Sequence, residues 1–196
     1  MQKICHKKVT LDTSLLLGAG NERLCFIHPD NELLCIKVTK PGVFHRSQNA
    51  IEQQYFNYLK EQNIPFTYLP EYHGVVETNY GTGLVFDRVV DCDIRPAQRL
   101  DKMLAEKQIS SDQASHAIAE LQHYLLKYAI MVGDINPDQI LVKTENKRLK
   151  PYIIDGVGPR RLGMKSFIYT RVGFMARYKL RKNWPNLINR LGLKHA

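Results

Sequence analysis

After Asp155 the chain contains no aspartate and no glutamate, yet the same stretch carries ten basic residues, from Arg160 to Lys194. The formal net charge of +9 therefore resides in the last fifth of the protein, because the other 18 basic residues nearly balance all 19 acidic ones. Such an asymmetry suits an anionic partner: a membrane surface, a phosphorylated glycan or a nucleic acid. A nucleic acid fits least well. Tyr169, Phe174 and Tyr178 are spaced as a helical packing face rather than as a platform for stacked bases. The competing explanation is a solubilising face packed on an acidic lobe.

Cysteine is scarce and scattered, at Cys5, Cys25, Cys35 and Cys92, with no CxxC pair. This argues against a disulfide framework and a clustered metal site, and it suits a reducing compartment. No run approaches the roughly 18 to 20 apolar residues of a membrane-spanning helix. The start, Met1-Gln2-Lys3-Ile4-Cys5-His6, has no apolar stretch of signal-peptide type. The expectation is a cytoplasmic protein, peripheral at the inner membrane where its basic tail meets lipid. Apolar residues make up 44% and charged residues 24% of the 196, enough for one core or for two small lobes sharing a cleft.

What the chain does contain is an ordered series of elements. Leu15-Leu16-Leu17 runs into Gly18-Ala19-Gly20, and 24–27 and 33–38 form a hairpin around His28-Pro29-Asp30-Asn31. Strand alternation puts Leu34, Ile36 and Val38 on one face and Cys35 with Lys37 on the other. Residues 47–62 read as a helix capped by Ser47, with Ile51, Tyr55 and Leu59 in a stripe and Glu52 beside it. Two strands, 72–76 and 83–90, follow around Asn79-Tyr80-Gly81. The second half reads as a short helix at 97–106, then a longer one opened by a Ser110/Gln113 capping box. A polar loop at 133–139, a strand pair at 140–142 and 152–154, and two basic helices, 165–182 and 184–193, complete it.

Phosphoryl transfer needs phosphate cover, a cation on the phosphates, metal-holding carboxylates and a residue that orients the acceptor hydroxyl. These elements supply candidates in that order. Gly18 and Gly20 are placed to cover phosphates, Lys37 to hold them, and Glu52 to orient Lys37. Val132-Gly133-Asp134-Ile135-Asn136-Pro137-Asp138-Gln139-Ile140-Leu141-Val142 resembles the protein-kinase catalytic loop, HRDLKPENILV. Ile154-Asp155-Gly156, 21 residues after Asp134, resembles the metal-binding DFG segment. The kinase resemblance implies Asp134 at the acceptor hydroxyl, Gln139 and Asp155 on Mg²⁺, Cys35 over adenine, and the backbones of Asp87 and Val89 as the hinge meeting the base. The implied cofactors are ATP and Mg²⁺.

The expected fold is α+β: a minimal kinase-like single domain with a strand-rich N-lobe (1–88) holding one helix. A reduced helical C-lobe (89–196) ends in a basic tail from about 160.

Leu24-Cys25, Cys35-Ile36-Lys37 and above all Tyr72-His73-Gly74-Val75-Val76-Glu77-Thr78-Asn79-Tyr80-Gly81-Thr82-Gly83 resemble the YrbL family, bacterial proteins named for the PhoP regulatory network. That resemblance implies a kinase-like fold and a Gram-negative cytosol. The chain departs from kinases in carrying Arg23 at the third glycine position, Gln139 for the metal-binding asparagine and Gly156 for the DFG phenylalanine. It lacks an APE motif, and only 41 residues follow Asp155. Two functions remain open. One is an ATP–Mg²⁺ phosphotransferase acting on a small-molecule, sugar or lipid-linked glycan hydroxyl. The other is a pseudokinase, a nucleotide-binding regulator of the PhoP network without turnover.

Overall fold

The alternating pattern of the first ninety residues becomes one twisted antiparallel sheet. The computed structural model describes residues 8–43, 48–91, 93–133, 135–145, 148–159 and 173–194. The strands are β1 (Leu16–Ala19), β2 (Arg23–His28), β3 (Asn31–Thr39), β4 (Tyr72–Thr78) and β5 (Gly81–Asp87), in the order β1-β2-β3-β5-β4. Helix α1 (Gln48–Glu61) forms the connection from β3 to β4. Its expected cap, Ser47, lies outside the described residues.

Strand alternation gives this sheet two buried faces. Ile36 and Val38 of β3 join Leu11, Phe26 and Val85 in a small cluster on one side. Cys35 opens onto the main core on the other, where Tyr55, Phe56 and Leu59 of α1 pack with Tyr72, Leu84 and Phe86. The tip of the β4–β5 hairpin depends on two glycines. Gly81 sits at φ +91°, where a side chain would be strained. A Cβ on Gly83 would stand 2.5 Å from Ile36 Cγ2, so only glycine lets β5 lie this close over β3.

The second half contributes a three-stranded sheet, β6 (Gln98–Arg99), β7 (Ile140–Glu145) and β8 (Arg148–Ile153). Its helices are α2 (Leu100–Ala105), α3 (Ser111–Lys127) and α4 (Gly173–Arg190). Ser110 and Gln113 form the capping box that opens α3. Ala114, Ile118, Leu121 and Leu125 of α3 are buried in the main core, which continues into Leu180, Trp184 and Leu187 of α4. The chain is thus a mixed α+β protein, with four α-helices among the described residues.

Three expectations change here. The helix foreseen over 97–106 is shorter, because Gln98 and Arg99 pair with β7 before the turn begins. The two foreseen tail helices give way to one described helix that runs through Pro185, while 165–172 lie outside the described residues. Ala176, Leu180, Trp184, Leu187 and Ile188 form one unbroken buried stripe at helical spacing. That stripe outweighs the roughly 3 kcal/mol that an interior proline costs a helix. Phe174 and Tyr178, foreseen on the packing face, instead point outward at 71% and 53% exposure. Tyr169 lies outside the described residues.

Candidate functional site

Lys37 sits near the end of β3, opposite Cys25 of β2. Its ammonium lies 2.9 Å from Glu52 Oε1 and donates to the Ile154 carbonyl at 2.7 Å. It also stands 4.5 Å above the Phe86 ring. Glu52 is only 5% exposed and comes from the buried side of α1. Asn49, one turn earlier, donates its amide to the Lys37 carbonyl at 3.0 Å and fixes α1 against β3. Lys37 and Glu52 therefore meet, and their pair is docked on the segment that carries Asp155.

Arg23 completes the cluster. Its guanidinium bridges two carboxylates, with one nitrogen on Glu52 and the other on Asp155. Burial works against the charge on Arg23, but Glu52 and Asp155 outweigh it and raise its pKa further above the ordinary value. Burial also opposes the charge on Asp155. Arg23, Lys37 and the Gly156 N–H, which donates to Asp155 Oδ1 at 2.7 Å, outweigh it and hold the carboxyl below its ordinary value. Two cations and two carboxylates thus form a closed, formally neutral set. Arg23 stands at the third glycine position of the kinase pattern, and this bridge is what its side chain makes there. A glycine-loop comparison sees only a missing glycine there.

Residues 131–133 run beside 156–158. Gly133 N–H donates to Gly156 O at 2.9 Å, and Gly158 N–H to Met131 O at 2.8 Å. The Met131 N–H donates to the buried Tyr55 hydroxyl of α1 at 2.7 Å. Asp134, the expected acceptor-orienting residue, lies outside the described residues; its neighbour Gly133 is held against the Asp155 segment.

Gln139 reaches that segment through its backbone, whose carbonyl accepts from Ile154 N–H at 3.0 Å. Its side-chain oxygen is turned the other way and accepts from Asn136 N–H at 3.0 Å, capping the turn at Pro137. The Mg²⁺ implied by the kinase resemblance requires several convergent oxygens. Gln139 and Asp155 as arranged do not fit it, since one amide is spent on a cap and one carboxylate on Arg23. Among the described residues no group of three or more His, Cys, Asp or Glu side chains is placed to hold a metal.

The other expected positions fall around the cluster. Gly18 lies in β1 opposite Cys25, and Gly20 closes the β1–β2 turn by donating its N–H to Arg23 O at 2.9 Å. The Gly20 amide thus serves the hairpin. Cys35 is buried, with its sulfur 3.7 Å from the Asp87 carbonyl. A hydrogen bond between the thiols holds Cys25 below its ordinary pKa and, with burial, pushes Cys35 well above it. Asp87 lies where β5 leaves the sheet, its carboxylate 2.7 Å from His73 Nε2. The Val89 carbonyl accepts from Ala97 N–H at 3.1 Å.

The 72–83 segment is structural by contrast. Tyr72 is buried, Thr78 Oγ1 donates to the Gly81 carbonyl at 2.6 Å, and the Tyr80 ring packs 5.2 Å from that of Phe26. The most distinctive stretch of the sequence therefore builds a hairpin, while the charged residues lie elsewhere.

The chain is 29% identical over 154 residues to a protein of Escherichia coli (strain K12) named "Uncharacterized protein YrbL", covering 74% of this chain and 71% of that relative. The relative of the same name from Shigella flexneri matches to the same extent. The model of the family described as PhoP regulatory network protein YrbL matches residues 9–192. The chain therefore belongs to the YrbL family.

Proposed function

We propose that this protein has a minimal kinase-like two-lobe arrangement and binds a nucleotide such as ATP, phosphates toward Lys37, as a regulatory binder rather than a phosphotransferase. The observation that carries nucleotide binding is Lys37, held at 2.9 Å from the buried Glu52 and 2.7 Å from the Ile154 carbonyl. An ammonium fixed by two partners keeps a further N–H for a phosphate oxygen. The adenine would lie under Cys35, against the backbone of Asp87 and Val89. The bridge from Arg23 to Glu52 and Asp155 favours binding over turnover, because it engages the carboxylate that phosphoryl transfer would use.

One observation favours the other function, transfer of phosphate to a small-molecule, sugar or lipid-linked glycan hydroxyl. The backbone just before Asp134 is tied to Gly156, beside Asp155. Calorimetric titration with ATP separates these outcomes. Micromolar binding that disappears in Lys37→Ala is expected, and no heat with the natural protein overturns nucleotide binding. If labelled phosphate reaches any acceptor, and Asp134→Asn lowers that transfer by about 10²- to 10⁴-fold with binding intact, the protein is a phosphotransferase.

We further propose that the C-terminal helix meets an anionic membrane surface. In α4, Phe174 and Tyr178 are exposed one turn apart, and Lys179, Arg181 and Lys182 are exposed beside them. No acidic residue occurs from 173 to 194. Aromatic side chains and cations on one helix suit the interfacial region of a bilayer. No helix among the described residues is long and apolar enough to cross a membrane. The protein would then work at the cytoplasmic side as a peripheral component.

A further inference from the structure

We propose that Arg23 is the resident cation of this site and that nucleotide binds without a divalent metal. The inference rests on the nucleotide-binding function proposed above and names its ionic requirement. Glu52 and Asp155 place two negative charges beside Lys37, which alone offsets only one of them. Where a site has that composition, an added metal ion can neutralise the remainder as phosphates approach. Here the Arg23 guanidinium does this from within the chain, with one nitrogen on each carboxylate.

Arg23 is well suited to the role. It is always charged, and its planar fork bonds two oxygens in fixed geometry. Its side chain is only 12% exposed, and the guanidinium carries more N–H donors than two carboxylate contacts consume. On this proposal the remaining donors, with the third N–H of Lys37, would meet phosphate oxygens. The Asp155 side chain is 47% exposed, so the cluster reaches solvent at that carboxylate, and phosphates would approach there on this proposal. Two further observations agree. The Gln139 amide is committed to the Asn136 cap rather than turned to a metal. The Gly20 N–H is committed to the β1–β2 turn rather than turned to a phosphate.

The test is calorimetric titration of ATP into the natural protein in EDTA and in excess Mg²⁺, paired with Mn²⁺ binding followed by electron paramagnetic resonance. Affinities in the two buffers should agree within about threefold, and the natural protein without nucleotide should take up no Mn²⁺ at this site. Arg23→Ala should lose at least tenfold of its ATP affinity in EDTA, regain it with Mg²⁺, and bind Mn²⁺. Arg23→Lys keeps the charge but cannot bridge both carboxylates, and should fall between. Should Arg23→Ala fail to fold, the two buffers with the natural protein still decide. ATP binding only in Mg²⁺ overturns the role of Arg23 and leaves nucleotide binding standing. Binding in neither buffer overturns both.

Discussion

The β-sheet cluster and the C-terminal helix use charge in opposite ways. Around β2, β3 and α1, each charge is enclosed by its opposite: Arg23 and Lys37 against Glu52 and Asp155. Along α4 the charges are of one sign and the exposed ones face outward. Charges buried as pairs are costly to separate, so they fix geometry. Exposed charges of one sign add little to stability and leave a field for a partner. On the function proposed above, the first region would serve as a preorganised site and the second as a docking surface.

The largest effect should come from breaking the enclosed set. Glu52→Ala leaves Arg23 and Lys37 buried without their shared carboxylate, and should cost about 3–5 kcal/mol in urea or thermal melting. A loss below about 1 kcal/mol would mean that the pairing is incidental to the fold. Reversing exposed charges on α4, as Lys179→Glu, Arg181→Glu and Lys182→Glu together, should leave folding nearly unchanged. It should weaken co-sedimentation with anionic vesicles by more than about a hundredfold, since each basic residue near an anionic leaflet contributes about 1 kcal/mol and each reversal adds repulsion. Equal recovery of the natural protein with neutral and anionic vesicles would remove the membrane from the comparison.

The smallest effect concerns an ion pair away from both regions. Glu120 of α3 pairs with Arg148 and accepts from the Tyr68 hydroxyl at 3.2 Å. Burial opposes its charge, but Arg148, Tyr68 and His116 outweigh it and hold the carboxyl below its ordinary value of 4.5. The lowered folded-state pKa makes its contribution present above about pH 4.5 and lost as pH falls through that lower value. Glu120→Gln should therefore flatten the acid side of the stability curve by less than about 1 kcal/mol, measured by melting between about pH 6 and pH 3.

Much of the backbone could be read from local pattern. The β2–β3 hairpin follows from alternation around a Pro-Asp-Asn turn, α1 from a stripe through Ile51, Tyr55 and Leu59, and α3 from its capping box. Lys37 and Glu52 were legible as a pair because strand and helix periodicity aim both side chains inward. Arg23 was not, since its partner Asp155 is 132 residues away and a long side chain carries no periodic signature. The cap made by the Gln139 side chain went unread for the opposite reason. Its partner is only three residues away, so a local cap competed with the distant metal role. In α4 two apolar stripes have helical spacing. The core takes the one through Leu180 and Trp184, which leaves Phe174 and Tyr178 outside.

The hydrogen bond from the Met131 amide to the Tyr55 hydroxyl has a dynamic consequence. A buried amide exchanges its hydrogen with solvent only when its acceptor withdraws. Here the acceptor is carried by a helix of 14 residues that also bears Glu52. The exchange rate of this single amide therefore clocks how often α1 lifts from the segment beside Asp155, and ligands that clamp the helix will slow that clock.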